Sequence, residues 1–238
     1  MKIDPLLLHV QGCVERGTRR LQEASFHVSL NKNGYNHSDL HMSSITQCGR
    51  LLWMKLHGKP LAEDFDTRTI RIFDAGHMYE DYVIKLMTFG GAKILSRQQE
   101  YREFEIFAGH SDVVIDYEGP AIIDVKTMNQ KRAWEFAKAD LQEGFLDYFI
   151  QVNLYMSYQG TRNGLLLAYN KNTSEITARR VEYNQERIDF YKRKAAWIVA
   201  AGTFSEVPDE FSEYKRSQVL AQEDVCCTCP ARTTCYGP

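Results

Sequence analysis

The sequence predicts an α/β domain, and three observations lead there. The first is the order of its periodic segments: helix, three strands, helix, strand. The second is a hairpin over 109–128, whose apolar runs flank the turn Glu118-Gly119-Pro120. The third is size and composition. A chain of 238 residues, 44% hydrophobic and 25% charged, fits one α/β domain with additions, or at most two small ones, and can bury a sizeable core.

The elements follow in order. Residues 3–30 read as mainly helical, with Leu6, Leu7, Val10, Cys13, Val14 and Leu21 near one face. Residues 31–39 are polar and read as a loop. Residues 41–57 read as a helix containing Cys48, with Ser43 or Ser44 as N-cap and Gly58 near its end. A connector over 58–68 leads into a helix or broken pair over 67–87, with Ile72, Phe73, Met78, Tyr82, Val83 and Leu86 on its apolar side. Residues 92–107 alternate as a half-exposed strand does. Within the hairpin, Asp112 precedes the run Val113–Ile115, and the strand 121–127 carries Asp124 and Lys126. Helices are expected over 129–143 and 145–159. Strands are expected over 164–170 and 176–183 around the turn Lys171-Asn172-Thr173-Ser174, then a helix over 185–201. Residues 203–223 read as a surface wrap. No internal repeat or low-complexity tract interrupts the chain.

The net charge of −2 excludes a molecule-wide basic field, so any nucleic-acid contact must use a local positive strip. The N-terminal apolar run is too short for a signal peptide. No stretch approaches the length of a membrane span. These features lead us to expect a soluble protein of the cytoplasm. Four of the six cysteines crowd the last thirteen residues, which in a cytoplasmic chain suggests metal more than disulfides.

Asp124 and Lys126 point to one face of their strand, about 7 Å apart along the backbone. Inside Ala-Ile-Ile-Asp-Val-Lys they are costly to place without a partner. Two readings stay open for the pair alone: a buried ion pair on an edge strand, or a functional site.

Three further features bear on that choice. Gly76 to Glu80 lies on the helix before the strands. Gly109 to Asp112 opens the hairpin. Gln151 and Tyr155 lie one turn apart on the following helix and share a face. In this order, with Asp124-x-Lys126 between, the chain resembles the RecB-like branch of the PD-(D/E)XK nuclease superfamily, over roughly residues 40–238. Departures exist. Ser111 stands where the namesake proline would be, Asp124 replaces the commoner Glu, and Glu80 replaces the His usual in CRISPR-adaptation relatives. His77 could back Glu80 or face outward.

The resemblance implies a restriction-endonuclease-like core, a central mixed sheet flanked by helices, with an iron–sulfur-bearing helical region formed from both ends of the chain. It implies a helical extension over 1–40, a nuclease core over 41–225 and a closing cysteine segment over 226–238. Asp112, Asp124 and the Val125 carbonyl would hold Mg2+ or Mn2+, helped by Glu80. Such hard cations take oxygen ligands and neutralise charge in phosphodiester hydrolysis. Lys126 would position or help deprotonate the attacking water and stabilise developing charge. Gln151 would bind that water or a phosphate, with Tyr155 packed beside it.

Cys226-x-x-Cys229-x-x-x-x-x-Cys235 has the spacing of the branch's iron–sulfur members, and Cys48 stands where their upstream ligand falls. The implied group is a [4Fe–4S] cluster. Zinc on the same sulfurs is the rival, and Cys227 could replace Cys226. Cys13 reads as a buried small apolar residue.

Lys131 and Arg132, just after the catalytic strand, are best placed to meet a DNA backbone. Lys138, Arg162, Lys171, Arg50 and Lys55 add positive charge, and Trp53, Trp134 and Tyr148 are stacking candidates. The implied activity is a metal-dependent DNA exonuclease serving recombination, replication or repair, with phage-encoded and CRISPR-adaptation relatives. A CRISPR-adaptation nuclease, a structure-specific endonuclease and a non-catalytic DNA-binding subunit are the alternatives. DNA, and other recombination or replication proteins, are the expected partners; a membrane is not.

Overall fold

A computed structural model describes residues 4–23, 39–59, 67–212, 229–231 and 234–235. The described residues fall into two compact units. One draws on Met1–Asn33, Asp66–Tyr101 and His110–Tyr183; the other draws on Gly34–Phe65, Arg102–Gly109 and Asn184–Pro238.

The elements, in chain order, are α1 (Pro5–Glu23), β1 (Leu40–His41), α2 (Gly49–Leu56), α3 (Thr67–Phe89), β2 (Ile94–Glu103), β3 (Phe107–Asp116), β4 (Pro120–Met128), α4 (Gln130–Lys138), α5 (Leu141–Gly144), α6 (Leu146–Gln159), β5 (Gly164–Asn170), β6 (Ile176–Arg180), α7 (Gln185–Ala200) and α8 (Asp209–Ser212).

In the first unit the sheet runs β2-β3-β4-β5-β6. The β3–β4 and β5–β6 pairs are antiparallel, whereas β4 and β5 are parallel. A parallel pair needs a crossover, and α4, α5 and α6 supply it. Every residue of β5 is buried, as a central strand covered on both faces should be. The sheet is therefore mixed and flanked by helices, as expected for the fold class.

One face of the sheet carries Val113, Ile115, Ala121, Ile123, Val125, Leu165 and Leu167. They pack with Leu6, Val10 and Val14 of α1 and with Val83, Ile84 and Leu86 of α3 in one apolar core. By strand alternation, Asp124 and Lys126 belong to the opposite face. Helix α1 meets the end of α3 very closely. A Cβ at Gly90 would lie 1.3 Å from the Cys13 carbonyl oxygen, so only glycine fits. Arg16 Nε donates to the Gly90 carbonyl at 2.7 Å and secures the same contact. Cys13 is buried, as expected, yet its sulfur is engaged: Arg16 Nη2 donates to it at 3.3 Å. The β3–β4 turn, three residues between the paired Asp116 and Pro120, puts Glu118 at φ 51° and Gly119 at φ 107°, in the left-handed region that glycine favours.

In the second unit, β1 pairs parallel with the first residues of β3, Leu40 with Phe107 and His41 with Ala108. Helix α2 packs on α7, on α8 and on a short 3-10 turn over Phe204–Glu206.

The structure corrects four local expectations. The helix foreseen over 41–57 is a strand residue, a 3-10 turn at Met42–Ser44 and a shorter helix from Gly49. His41 is drawn into strand pairing, so the helix starts later, and Cys48 is its N-cap rather than an interior residue. The extended segment 92–107 breaks at Phe104 and Glu105, both at positive φ, and β3 begins at Phe107. The helix expected over 129–143 is two, split at Ala139, because Asp140 caps α5 by accepting from Gln142 N. Trp53 is no stacking surface: it is buried, and its Nε1 donates to the Ala201 carbonyl at 2.8 Å.

Candidate active site

Strand register builds the centre of the site. Val113 pairs with Ile123, so the next step along the hairpin sets Asp112 beside Asp124. Asp112 Oδ2 accepts from the Val125 backbone N at 2.7 Å. Burial, then the Asp124 and Glu80 carboxylates, push the Asp112 carboxyl well above the ordinary range.

Asp124 is 0% exposed. Lys126 Nζ stands 2.8 Å from its Oδ2. That is a close ion pair, and apart from Lys126 no group donates to either Asp124 oxygen. Burial works against the charge on Lys126, but the Asp124 and Asp112 carboxylates outweigh it and hold its pKa above the usual lysine range.

Glu80 comes from α3. Its side chain is 15% exposed, and His77 Nδ1 lies 3.9 Å from Oε2. Gln98 Nε2 donates to Oε1 at 2.6 Å. Burial first, then Asp124, push the Glu80 pKa up to about 7. Helix α6 supplies Gln151 and Tyr155, both buried. Gln151 Nε2 donates to Tyr155 Oη at 2.9 Å. The Tyr155 ring stacks on Tyr101 at 5.4 Å between centroids, and burial raises its pKa. Tyr148, one turn before Gln151, is half-buried and its ring centre lies 5.2 Å from Lys126 Nζ.

The charges of Glu80, Asp112, Asp124 and Lys126 thus act on one another, with Gln151 and Tyr155 alongside. Gln98 and Tyr101 were not foreseen, and no local signal marks them: both lie in an ordinary-looking polar strand.

Among the described residues, no three His, Cys, Asp or Glu side chains stand together as a group able to hold a metal ion. Each carboxylate has its own engagement: Asp112 with Val125 N, Glu80 with Gln98, and Asp124 with Lys126. The donor set nonetheless fits a hard divalent cation. It is all oxygen, and the buried Asp124 oxygens, undonated apart from Lys126, are the kind of group a cation satisfies.

On α4, Lys131 and Arg132 are exposed. Arg132 is committed to the protein: it donates to the Gly144 carbonyl at 2.9 Å and covers the Phe145 ring at 3.8 Å. Trp134 on the same helix is 63% exposed, with Lys138 Nζ 3.6 Å over its ring.

In the second unit, Cys48, Cys229 and Cys235 are half-buried; Cys226 and Cys227 lie outside the described residues. Behind Cys48, Lys194 is 3% exposed and its Nζ donates to the Gln47 carbonyl. Burial pulls the Lys194 pKa down to about 8, opposed by Cys48. A lysine buried at the carbonyl preceding a cysteine fits an anionic thiolate centre nearby.

No helix among the described residues is long and apolar enough to cross a membrane. The fold is a mixed α/β one, a central sheet flanked by helices. No family model matches the sequence, and no curated protein does either. Solved structures do. LHK-Exo in complex with dAMP aligns at a TM-score of 0.50 and 12% identity, over 77% of this chain and 94% of that one. A second structure of LHK-Exo, an alkaline exonuclease from Laribacter hongkongensis, gives 0.48 and 13% over the same shares. A phage related exonuclease from Haemophilus somnus 129PT gives 0.48 and 17%, over 74% of this chain and 98% of that one. At such identities the likeness to LHK-Exo is one of fold alone.

Proposed function

We propose that this chain is a metal-dependent deoxyribonuclease that digests DNA from its ends. One fold hosts many activities, so the reading rests on the site. The observation that carries it is Asp124: wholly buried, undonated apart from Lys126 at 2.8 Å, and with Asp112 on the neighbouring strand.

Asp112, Asp124, the Val125 carbonyl and Glu80 would hold Mg2+ or Mn2+. When bound, the ion supplies charge neutralisation at the phosphate and a more acidic water. The chain's own residues do the rest. Lys126, kept protonated by two carboxylates, presents a fixed positive charge to the phosphate oxygens as negative charge builds. Gln151 is oriented by its bond to Tyr155 Oη, which leaves its carbonyl oxygen to accept from a water or nucleotide. Lys131 would meet the phosphate backbone, and Arg132 would do so by exchanging its bonds to Glu135 and the Gly144 carbonyl for a phosphate.

In the second unit, Cys48, Cys226, Cys229 and Cys235 would hold a [4Fe–4S] cluster, closing segment 226–238 onto Cys48. Zinc on the same thiolates is the competing occupant, and visible absorbance against zinc content separates the two.

The test uses single- and double-stranded DNA labelled at either end, with Mn2+, beside a covalently closed circle. Release of short labelled products with an intact circle is expected. A cut circle would make the protein an endonuclease. No cleavage of any substrate, with DNA still bound, would make it a non-catalytic subunit. Roles in recombination, replication, repair or CRISPR adaptation would follow from partners co-purified from the cytoplasm.

A further inference from the structure

Strand β2 breaks its own alternation at Gln98. From Ile94 to Arg97 the even-numbered side chains turn inward and the odd ones are exposed; from Gln99 to Glu103 the inward set is odd-numbered. A side-chain period of two slips this way when one extra residue is inserted, as in a β-bulge. Gln98 is that residue, at φ 48°, a left-handed conformation uncommon outside glycine.

The slip has a consequence for α3. Consecutive strand residues normally face opposite sides of a sheet. Here Arg97 Nη2 donates to Asp81 Oδ1, and Gln98 Nε2 donates to Glu80 Oε1 at 2.6 Å. Two adjacent strand residues therefore grip two adjacent residues of one helix, which a regular strand would not do.

We propose that Gln98 is a positioning residue, brought by the bulge to fix the Glu80 carboxylate for a divalent cation. This rests on the nuclease reading above. An amide donor on Oε1 fixes the carboxylate's orientation and leaves Oε2, with His77 Nδ1 3.9 Å away, to meet an ion. Being neutral, it does so without cancelling the negative charge a cation needs. The left-handed backbone costs free energy in the fold, and such strain persists where surrounding structure or function compensates for it. Partners that orient a ligand from behind commonly control metal affinity by about 10- to 100-fold.

The test is Mn2+ binding by calorimetry on the full-length, chelator-treated protein, with DNA cleavage followed in parallel. Gln98→Gly keeps a residue suited to positive φ and removes the amide. It should weaken Mn2+ binding by about 10- to 100-fold. Raising Mn2+ should then restore its cleavage rate. In a Glu80→Gln background the same change should add nothing further. If Gln98→Gly does not fold, Gln98→Asn serves, since asparagine tolerates left-handed backbone but is one methylene too short. Unchanged Mn2+ affinity, or a loss fully additive with Glu80→Gln, overturns the proposal while leaving the nuclease reading standing. Unchanged affinity and cleavage in Glu80→Gln itself overturns the assigned role of Glu80 and this proposal with it.

Discussion

The carboxylate site and the cysteine-bearing unit are built by opposite strategies. In the first, regular short-range structure seats most groups, and α3 and α6 bring in Glu80 and the Gln151–Tyr155 pair. Hairpin register sets Asp112 against Asp124, alternation sets Lys126 on the same face, and one helical turn joins Gln151 to Tyr155. In the second, Cys48 caps α2 while Cys229 and Cys235 come from the far end of the chain. The first arrangement sets the two aspartates together by backbone pairing, and burial first, then the neighbouring carboxylates, raises the Asp112 and Glu80 pKa values. The second, on the reading proposed above, would close the long loop from Cys48 to Cys235 through a bound metal centre. A site of the first kind should keep its geometry without metal. A site of the second kind should not.

The largest break in that contrast should come from Lys126→Ala. Loss of a charge-stabilising or proton-handling group costs about 10²–10⁴-fold in rate, and the variant should still fold and keep its cysteine-bound metal. Full activity in Lys126→Ala, measured with Mn2+ on end-labelled DNA, would remove the first site from the mechanism. Next is Cys48→Ser. It should abolish the cluster absorbance and destabilise the chain by roughly 3–5 kcal/mol, the scale of losing a cross-link that closes a long loop. Mn2+ binding at the carboxylates should persist. Equal thermal stability of Cys48→Ser and the parent would mean that the cysteines close nothing.

The carboxylate site was far more legible in the sequence than the cysteine unit. Within each element its residues sit at short, regular spacings, where alternation and helical period determine which side chains share a face. The turn at Glu118-Gly119-Pro120 and the β4 pattern locate both aspartates before any coordinates. The Gln98 bulge was not legible, since no glycine marks it and Arg97-Gln98-Gln99 is an unremarkable polar run. Around Cys48, Met42 and Ile45 have helical spacing, but pairing of His41 with Ala108 overrides it. Lys194 gave no signal either: beside Arg193 on a charged helix it reads as solvated, and only the packing of α7 on α2 buries it.

A smaller effect concerns pH. Glu80 is raised to about 7 from its ordinary 4.5, so the folded chain holds a proton that the unfolded chain has released between those values. Stability of the metal-free protein should therefore fall as pH rises from about 4.5 to about 7, by up to about 3 kcal/mol. Asp112 acts in the same direction. Urea unfolding with chelator at several pH values measures the slope. Glu80→Gln should flatten it and Cys48→Ser should not; a slope unaffected by Glu80→Gln would refute its assignment to this site.

The smallest effect sharpens the comparison from the cysteine side. Lys194 has its pKa pulled down to about 8 by burial, so the charged form is disfavoured wherever it persists. That cost is fully present below about pH 8 and fades as pH rises toward 10.5, where the unfolded lysine also loses its proton. Lys194→Met removes the cost and also the hydrogen bond to the Gln47 carbonyl, so the metal-free chain at pH 7 should gain roughly 1–3 kcal/mol. With the cluster loaded the sign should reverse, because a buried cation beside anionic thiolates then compensates charge. Thermal melts of Lys194→Met with and without the metal centre read both signs. A variant more stable in both states would make Lys194 a bystander, and the cysteine centre would lose its counter-charge.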